Sequence, residues 1–400
     1  MDNRMIENLS IVCFGSDQWT YPGFQQTVMR HLSKHNRILY VNALGTRKAT
    51  FHHKNLKIYY SRLRRLFAGT RKASDTATVM NPFFVPLLHN KAIDRFNTVL
   101  LRRQFAHLFS ALDLHDYVLW AGTPSVAPFL CLFRPDLLIY NPVDRYSAFS
   151  FNDRDGVLRH ESTVASAADL IITTADAIKE DMTAYNKNCD VVGHGVMFDH
   201  FNKAMQDLPV PEDLKGIKKP TIGFFGSLSE WVDLELIKKV ALRYTQATVL
   251  LVGKAGTDVS LFSDVPNVSV LGFRDFDTLP AYLRVFDVCI IPFHLNELVD
   301  AVDPIKLREY LCAGKPVVTT NFREARKFAD FIYIGRDHEE FVEKVGQALA
   351  ERDPNLIQER VSRVRKDDWP RKIGLISSLI LNALDRKNIR VAGRNNTDDH

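Results

Sequence analysis

The sequence predicts an α/β protein with two domains, each built on a parallel β-sheet. Short β-rich runs alternate with helical patterns along the chain, and parallel strands need such crossover helices. The strands are almost continuously apolar, as expected when helices cover both faces of a sheet. A length of 400 residues suits two domains of ordinary size. We therefore expect two Rossmann-like domains in succession.

The first half of the chain supplies the first series of elements. Its predicted strands are 10–14, 37–42, 56–60, 117–121, 137–141, 170–173 and 190–192. Its predicted helices are 24–35, 94–110 and 176–186. We place this domain at residues 1–206. A stretch rich in proline and without periodicity, 207–219, is the predicted linker.

The second half repeats the alternation without repeating the sequence. Its predicted strands are 221–225, 248–252, 269–271, 288–291, 317–320 and 332–334. Its predicted helices are 234–244, 279–285, 305–313 and 338–351, with a last helix from 369 to about 383. We place the second domain at 220–366, a C-terminal helix at 367–387 and a disordered tail at 388–400.

Composition excludes several classes of protein. Hydrophobic residues make up 46% and charged residues 25% of the chain, as in ordinary globular proteins. The N-terminus lacks the pattern of a signal peptide, and no apolar run approaches the ~18 residues of a membrane span. The five cysteines are far apart and suit neither a disulfide framework nor a zinc site. We expect a cytoplasmic protein with reduced, buried cysteines.

The strongest functional signal lies in residues 291–320. After an apolar strand and a polar loop, Pro304 begins a short helix that Gly314 ends, as proline and glycine often do. Lys306 therefore lies in the first turn of a helix at the carboxyl end of a strand, where open α/β sheets hold anionic ligands. Glu309 shares its face and is suited to accept hydrogen bonds from ribose hydroxyls. A surface Lys–Glu pair is the alternative interpretation.

Residues 303–318, DPIKLREYLCAGKPVV, resemble the nucleotide-sugar-binding signature of GT-B glycosyltransferases in the form S-P-x-K-L-x-E-Y-L-A-x-G-K-P-V-V. That form is typical of the GumK/TuaH-type bacterial glucuronosyltransferases, which 229–237 (SEWVDLELI) also resembles. The resemblance implies two Rossmann-like domains facing a central cleft, with a C-terminal helix that crosses back to the first domain. It implies a nucleotide-sugar substrate, with Lys306 on the diphosphate and Glu309 on the ribose. It also implies no metal cofactor.

One departure bears on the stereochemistry. Retaining GT-B enzymes carry a glutamate eight residues before the ribose-binding glutamate, and here that position is Ala301. The resemblance therefore favours inversion at the anomeric carbon.

Two turns of the second domain are further candidates for the phosphates. Gly226 and Ser227 follow its first strand, and free N–H groups at such turns bind phosphate. We expect residues 227–230, SLSE, to form a capping box into the next helix. Lys254, in the matching turn after the second strand, either reaches a phosphate or is simply solvated. The resemblance also implies that the backbone around Phe273 and Arg274 contacts the base.

The first domain supplies the candidate catalytic base. Residues 140–149, YNPVDRYSAF, resemble the subgroup's Y-D-x-V-D-D-Y-S-A-F segment. Asp144 would then lie at a strand's carboxyl end, and an inverting transferase needs a carboxylate to take the proton of the acceptor hydroxyl. An aspartate that caps its own turn is the alternative. Glu161 and Asp17 are weaker candidates for the base.

Three more residues are candidates for substrate contacts. Gly15 and Asp17 belong to a loose glycine turn after the first strand and are expected to line the acceptor side. His194 occupies the place of the common GT-B motif N-G-V-D, where it contacts donor or acceptor, although a lone histidine is as often structural.

The distribution of charge predicts an anionic partner. Residues 18–74 contain twelve Lys and Arg and no Asp or Glu, and such a block favours nucleic acid, anionic lipid headgroups or an acidic acceptor. The following loop, 83–88 (FFVPLL), resembles an interfacial membrane anchor. A buried loop and a solvated basic face are the alternatives.

Taken together, the sequence predicts an inverting GT-B glycosyltransferase. Its expected partners are a UDP-sugar, with UDP-glucuronate one candidate, a lipid-linked saccharide acceptor and the cytoplasmic face of the inner membrane, but not nucleic acid. A retaining GT-B enzyme, a non-catalytic sugar- or nucleic-acid-binding module and a UDP-sugar epimerase are the rival hypotheses.

Overall fold

The computed structural model describes residues 5–43, 69–85 and 91–387. The chain divides into two compact units, one formed by residues 1–193 with 373–400 and the other by residues 194–372. Each unit is organised around one sheet dominated by parallel strands. The predicted α/β fold class is therefore confirmed. The expected strand 56–60 and the tail 388–400 lie outside the described residues.

The sheet of the first unit has eight strands. They are β1 (Ser10–Phe14), β2 (Arg37–Val41), β3 (Thr70–Lys72), β4 (Ala77–Met80), β5 (Val118–Ala121), β6 (Leu137–Tyr140), β7 (Leu170–Thr173) and β8 (Cys189–Val191). Their order is β3-β4-β2-β1-β5-β6-β7-β8, and only β3 runs antiparallel to its neighbour. The order reverses at β1, with β2 on one side and β5 on the other. Ligands of open α/β sheets bind at the carboxyl ends of such strands.

Four helices of the described residues precede the second unit. They are α1 (Phe24–Leu32), α2 (Lys91–Ala111), α3 (Arg154–Ala167) and α4 (Asp176–Thr183). Helix α2 packs its inner face on the sheet, because Phe105 meets Phe14 and Phe133 with ring centroids 5.6 and 5.0 Å apart.

The sheet of the second unit has six parallel strands. They are β9 (Thr221–Phe225), β10 (Thr248–Val252), β11 (Val268–Gly272), β12 (Val288–Ile291), β13 (Val317–Thr320) and β14 (Tyr333–Gly335). Their order is β11-β10-β9-β12-β13-β14. The order therefore reverses between β9 and β12, and this puts the turn after β9 beside the loop after β12.

The helices of the second unit are followed by the last helix of the described chain. They are α5 (Phe198–Asn202), α6 (Leu234–Arg243), α7 (Leu279–Val285), α8 (Glu297–Asp300), α9 (Ile305–Cys312), α10 (His338–Ala350), α11 (Pro354–Arg365) and α12 (Trp369–Arg386). Helix α12 belongs to the second unit up to Lys372 and to the first from Ile373.

The two ends of the second unit lie side by side. The Val196 N–H donates to the Asp367 carbonyl at 2.9 Å, and the Trp369 N–H donates to the Val196 carbonyl at 3.3 Å. A β-carbon on Gly195 would lie 2.5 Å from the ring of Trp369, so the indole packs directly on the glycine backbone.

The structure also differs from the sequence-based expectations. The boundary falls earlier than predicted, because residues 194–206 group with the second unit. Within that stretch, Asn202 Nδ2 donates to the Cys312 carbonyl at 2.8 Å and Phe201 stacks on Phe225. The elements β3, β4, α3, α5, α8 and α11 were not predicted. Cys131 is exposed, contrary to the expectation of buried cysteines, whereas the other four are buried.

The predicted capping box at 227–230 is wrong. Helix α6 begins only at Leu234, and its N-cap is Asp233, whose carboxylate accepts the Leu236 N–H at 2.8 Å. Ser227 and Ser229 instead share a hydroxyl–hydroxyl hydrogen bond of 2.7 Å. The turn after β9 is therefore a loop and not the start of a helix.

Candidate functional site

Helix α9 is anchored against the end of β9. Its Leu307, Tyr310 and Leu311 are fully buried, and the Phe225 N–H donates to Tyr310 Oη at 3.0 Å. This packing leaves Lys306, in the first turn, directed to the turn that follows β9.

The structure brings Lys306 and Gly226 together. A β-carbon built on Gly226 would lie 1.9 Å from Lys306 Cε and 2.7 Å from its Nζ. The φ of Gly226 is +137°, a value that side chains other than hydrogen rarely allow. Only glycine therefore lets the lysine lie across this turn.

The turns after β9 and β10 contact each other. A β-carbon on Gly253 would lie 1.9 Å from the Gly226 carbonyl oxygen. The N–H groups of Gly226 and Leu228 donate to the carbonyls of Val252 and Lys254. Between them, the N–H of Ser227 has no hydrogen-bond partner within the described part of the chain. An anion at this turn would meet that N–H group.

Lys306 and Glu309 are partly desolvated but not paired. Burial lowers the pKa of Lys306, and the Glu309 carboxylate acts in the opposite sense. Burial raises the pKa of Glu309 to about 7 against the effect of Lys306. Glu309 is only 6% exposed, and its carboxylate accepts no hydrogen bond from the residues that the structure describes. A ligand that offers an anion and hydroxyl groups would satisfy both side chains.

A network of buried charges lies on the other side of α9. Arg308 contacts Asp303 at 2.6 Å and Asp367 at 3.1 Å, and Asp367 also contacts Lys372 at 2.9 Å. Asp303 accepts the backbone N–H of His194 at 2.7 Å. Burial acts to raise the pKa values of both aspartates, but the cations hold them below their ordinary values.

His194 is therefore tied by its backbone to the start of α9. Burial lowers the pKa of its imidazole to about 4, against the effect of Asp303. The ring is thus neutral at neutral pH. Its predicted contact with a substrate remains a prediction.

The residues predicted to contact the base follow β11. Phe273 is 69% exposed, whereas the Arg274 guanidinium contacts Asp213 at 2.6 Å and Tyr282 Oη at 2.7 Å. Phe273, Arg274, Tyr282 and Pro209–Pro211 are among the residues that line a cleft of about 380 Å³. The Arg274 side chain is thus committed to protein partners, while the Phe273 ring is open to solvent. Lys254 is also exposed.

In the first unit, Asp144 follows β6 and has the properties of a general base. The residue as a whole is half-buried, and burial raises the pKa of its carboxyl to about 7. It accepts no side-chain hydrogen bond from residues 5–43, 69–85 or 91–387, so nothing there supports the alternative of an aspartate that caps its own turn. Glu161, the weaker candidate, is buried and accepts a hydrogen bond from Tyr140 Oη at 2.8 Å.

Asp17 lies close to the same place. The hydroxyl of Tyr21 is desolvated, and the negative charges of Asp17 and Asp144 add to that effect to raise its pKa. Tyr40 Oη donates to the Asp17 carbonyl at 2.9 Å. A β-carbon on Gly15 would lie 1.8 Å from Tyr40 Oη, so the glycine is needed for this contact.

One side chain that the sequence reasoning missed holds these loops together. Gln25 is fully buried; its Nε2 donates to the carbonyls of Gly122 at 2.7 Å and Asn141 at 3.0 Å. Its Oε1 accepts the Ser16 N–H at 2.7 Å. The loops after β1, β5 and β6 are therefore fixed by one amide. The sequence feature that could have indicated this role is the uncharged polar pair Gln25 and Gln26 inside an apolar helix.

Two searches for other site types were negative in the described residues. No group of three or more His, Cys, Asp or Glu there is arranged to hold a metal ion. Among the same residues, no helix is both long and apolar enough to cross a membrane.

Comparison with known proteins defines the class. Residues 219–351 match the family model described as glycosyl transferases group 1. Sucrose-phosphate synthase from Thermosynechococcus elongatus superposes with a TM-score of 0.68 at 14% identity, covering 95% of this chain and 100% of its own. Anabaena HepE, solved with UDP and glucose, superposes with a TM-score of 0.62 at 14% identity, covering 94% and 100%. The chain is a glycosyltransferase with the GT-B fold.

A relative is found at the level of sequence as well. The teichuronic acid biosynthesis glycosyltransferase TuaH of Bacillus subtilis is 29% identical over 275 residues, which cover 63% of this chain and 68% of TuaH. The resemblance predicted from residues 303–318 is confirmed.

Proposed function

We propose that the protein transfers a sugar, with inversion, from a UDP-sugar to a lipid-linked saccharide at the cytoplasmic face of the inner membrane. UDP-glucuronate is the first candidate donor. The observation that carries the proposal is the pair Lys306 and Glu309, both desolvated and unpaired beside the turn at Gly226. HepE, a protein of similar fold, was solved with UDP.

In this proposal the second unit holds the nucleotide. Lys306 and the Ser227 N–H bind the diphosphate, and Glu309 accepts hydrogen bonds from the ribose hydroxyls. The exposed Phe273 and the backbone beside it lie against the base. As the bond to the sugar breaks, negative charge develops on the diphosphate, and the ammonium group of Lys306 stabilises it. This arrangement supplies the positive charge from the chain's own groups.

The first unit supplies the acceptor side. Asp144 takes the proton from the acceptor hydroxyl, whose oxygen attacks the anomeric carbon on the face opposite UDP. The bond between that carbon and the diphosphate oxygen breaks, and UDP leaves. A carboxyl with a pKa of about 7 is well matched to this task, because it is substantially ionised at neutral pH and still basic. Gly15 and Asp17 line the same region, and His194 contacts a substrate.

The test combines a variant with the stereochemistry of the product. Asp144→Asn keeps the shape of the side chain but cannot take a proton, so kcat should fall by about 10²–10⁴ while UDP affinity is retained. Asp155→Asn, an exposed aspartate of α3, is the matched control. The wild-type product should have the inverted configuration at its anomeric carbon.

Two outcomes would contradict the proposal. A product that keeps the donor's configuration would favour the retaining alternative, in which no side-chain base is needed. Near-normal turnover of Asp144→Asn would make Asp144 a structural loop residue.

A further inference from the structure

Helix α2 has large apolar side chains on its outward face. Phe96 and Val99 are 55% and 54% exposed, while Leu101 and Phe105 on the inward face are buried. Phe83, from the strand-like segment before α2, is 43% exposed. Exposed apolar side chains gathered in one place mark interaction surfaces more often than single ones do.

The main chain at Phe83 is held firmly against α2. The Phe83 N–H donates to Gln104 Oε1 at 2.9 Å, and Gln104 Nε2 donates back to the Phe83 carbonyl at 2.8 Å. Asn97 makes the same pair of bonds with Val85, at 2.7 and 2.9 Å. Two side-chain amides thus replace a neighbouring strand, and the phenyl ring of Phe83 is directed outward by a fixed backbone.

Between the segment and the helix lies a shallow cleft of about 470 Å³. Its volume falls in the ~300–1,000 Å³ range of ligand sites. Its lining is apolar except for one guanidinium and one amide and consists of Phe83, Phe96, Val99, Leu100, Arg103 and Gln104.

The rim of the cleft is cationic. Arg95, Arg102 and Arg103 are all exposed, and none of the three forms an ion pair with another described residue. The acidic residue in the first turn of α2, Asp94, is half-buried. Apolar side chains bordered by arginines match an anionic amphiphile, because the apolar chain is desolvated while its phosphate meets the guanidinium groups.

We propose that the cleft between Phe83 and α2 binds the acyl chain of an anionic bilayer lipid, with the lipid phosphate on Arg103 and its neighbours. The inference rests on the membrane association in the proposed function and adds the site of contact. Complementary charge favours this occupant over an apolar protein segment, which would have to bring its own carboxylates.

The first experiment locates the contact. Phe96→Trp is mixed with phosphatidylglycerol vesicles whose acyl chains carry bromine, which quenches tryptophan only at close range. Leu242→Trp is the control, since Leu242 is 56% exposed on a helix of the second unit. We expect bromine-dependent quenching of the tryptophan at position 96 and none of that at position 242. Equal quenching of both, or of neither, overturns the proposal.

The second experiment measures affinity by vesicle flotation. Val99→Asp, and separately Arg102→Gln combined with Arg103→Gln, should each weaken binding to phosphatidylglycerol vesicles by at least about tenfold. Arg159→Gln, an exposed arginine of α3, should change little. UDP affinity, measured in parallel, should be unchanged in every variant, which shows that the fold is intact.

The outcomes separate this inference from the proposed function. If the wild type floats with anionic vesicles and the cleft variants float equally well, the contact lies elsewhere and membrane association stands. If the wild type does not bind anionic vesicles at all, the cleft proposal and the membrane part of the proposed function both fall. Sugar transfer to a soluble acceptor tests the rest of that function separately.

Discussion

Helix α9 presents two groups of charges that differ in one respect. On one side, Lys306 and Glu309 are desolvated and have no ion-pair partner within 4 Å among the described residues. On the other, Arg308 is saturated by Asp303 and Asp367. The pKa values differ in the same way, since the pKa of the unpaired Glu309 is raised to about 7 whereas the pKa of the paired Asp303 is lowered.

The difference indicates which charges serve the fold and which serve a ligand. A buried ion pair with satisfied hydrogen bonds is neutral to moderately stabilising, but the loss of one partner is costly. An unpaired, desolvated group already carries its desolvation cost, and a bound ligand relieves it. Removing the two kinds of charge should therefore have opposite consequences for stability and for binding.

The largest effect is expected for Arg308→Met. The change leaves Asp303 buried without its cation and should lower the free energy of unfolding by about 3–5 kcal/mol, as measured by urea denaturation. Lys306→Met removes an unpaired charge from the same helix and should leave stability equal or slightly higher. Similar losses of stability in Arg308→Met and Lys306→Met would contradict the distinction between paired and unpaired charges.

A smaller effect is expected in the pH dependence of Glu309→Gln. In the folded protein the Glu309 carboxyl binds its proton more tightly than in the unfolded chain, because its pKa is raised from 4.5 to about 7. Its contribution to stability is present below pH 4.5 and is lost as the pH rises through about 7. From about pH 5 to pH 8 the free energy of unfolding of the variant should therefore rise relative to that of the wild type, by up to about 3 kcal/mol. A constant difference in denaturation midpoint across that range would show that Glu309 is not desolvated.

Nucleotide affinity should respond to the unpaired residues alone. Lys306→Ala removes a charge-assisted phosphate contact and should weaken UDP binding by about 1.5–3 kcal/mol, measured by calorimetry. Glu309→Ala should act similarly through the ribose. Lys239→Ala, an exposed lysine of α6, is the control. Unchanged affinity in both site variants would remove the assignment of the donor site.

The smallest effect is expected from removal of divalent metal ions. If Lys306 and the turn after β9 supply the charge that stabilises the leaving diphosphate, EDTA should leave UDP affinity and turnover unchanged. A loss of turnover that Mg²⁺ restores would show that these groups are insufficient.

Much of the fold could be predicted from the local pattern of apolar and polar residues. The bounds of β1, β9, β10, β12 and β13 agree with the predicted strands, because each is a short, mostly apolar run. The edge strand β3 (TRK) is exposed and has no apolar pattern to detect. Helix α3 intersperses its apolar residues with charged residues, serines and Gly156, so its buried face gives no clear pattern in the sequence.

The site was less predictable, because its supports are contacts between distant residues. Lys306 and Glu309 could be found from one continuous motif. One of the two partners of Arg308, Asp367, is however 59 residues away, and Gln25 joins loops at Gly122 and Asn141 that lie about a hundred residues further on. The spacing of residues along the sequence does not indicate contacts between residues so far apart. The base contact expected from the backbone around Phe273 and Arg274 stays a prediction, and the Arg274 side chain itself is engaged by Asp213 and Tyr282.

The adjacency of Val196 to Asp367 and Trp369 has a consequence for the ancestry of the chain. The second unit begins and ends at neighbouring points, in the manner of an inserted cassette. A fragment spanning 194–372 would have its ends already joined by hydrogen bonds. Exchange of the nucleotide-binding half between homologues by recombination therefore requires two cuts, both close to the backbone hydrogen bonds that join Val196 to Asp367 and Trp369. A change in the second unit could thus be acquired in a single genetic step, with the first unit left intact.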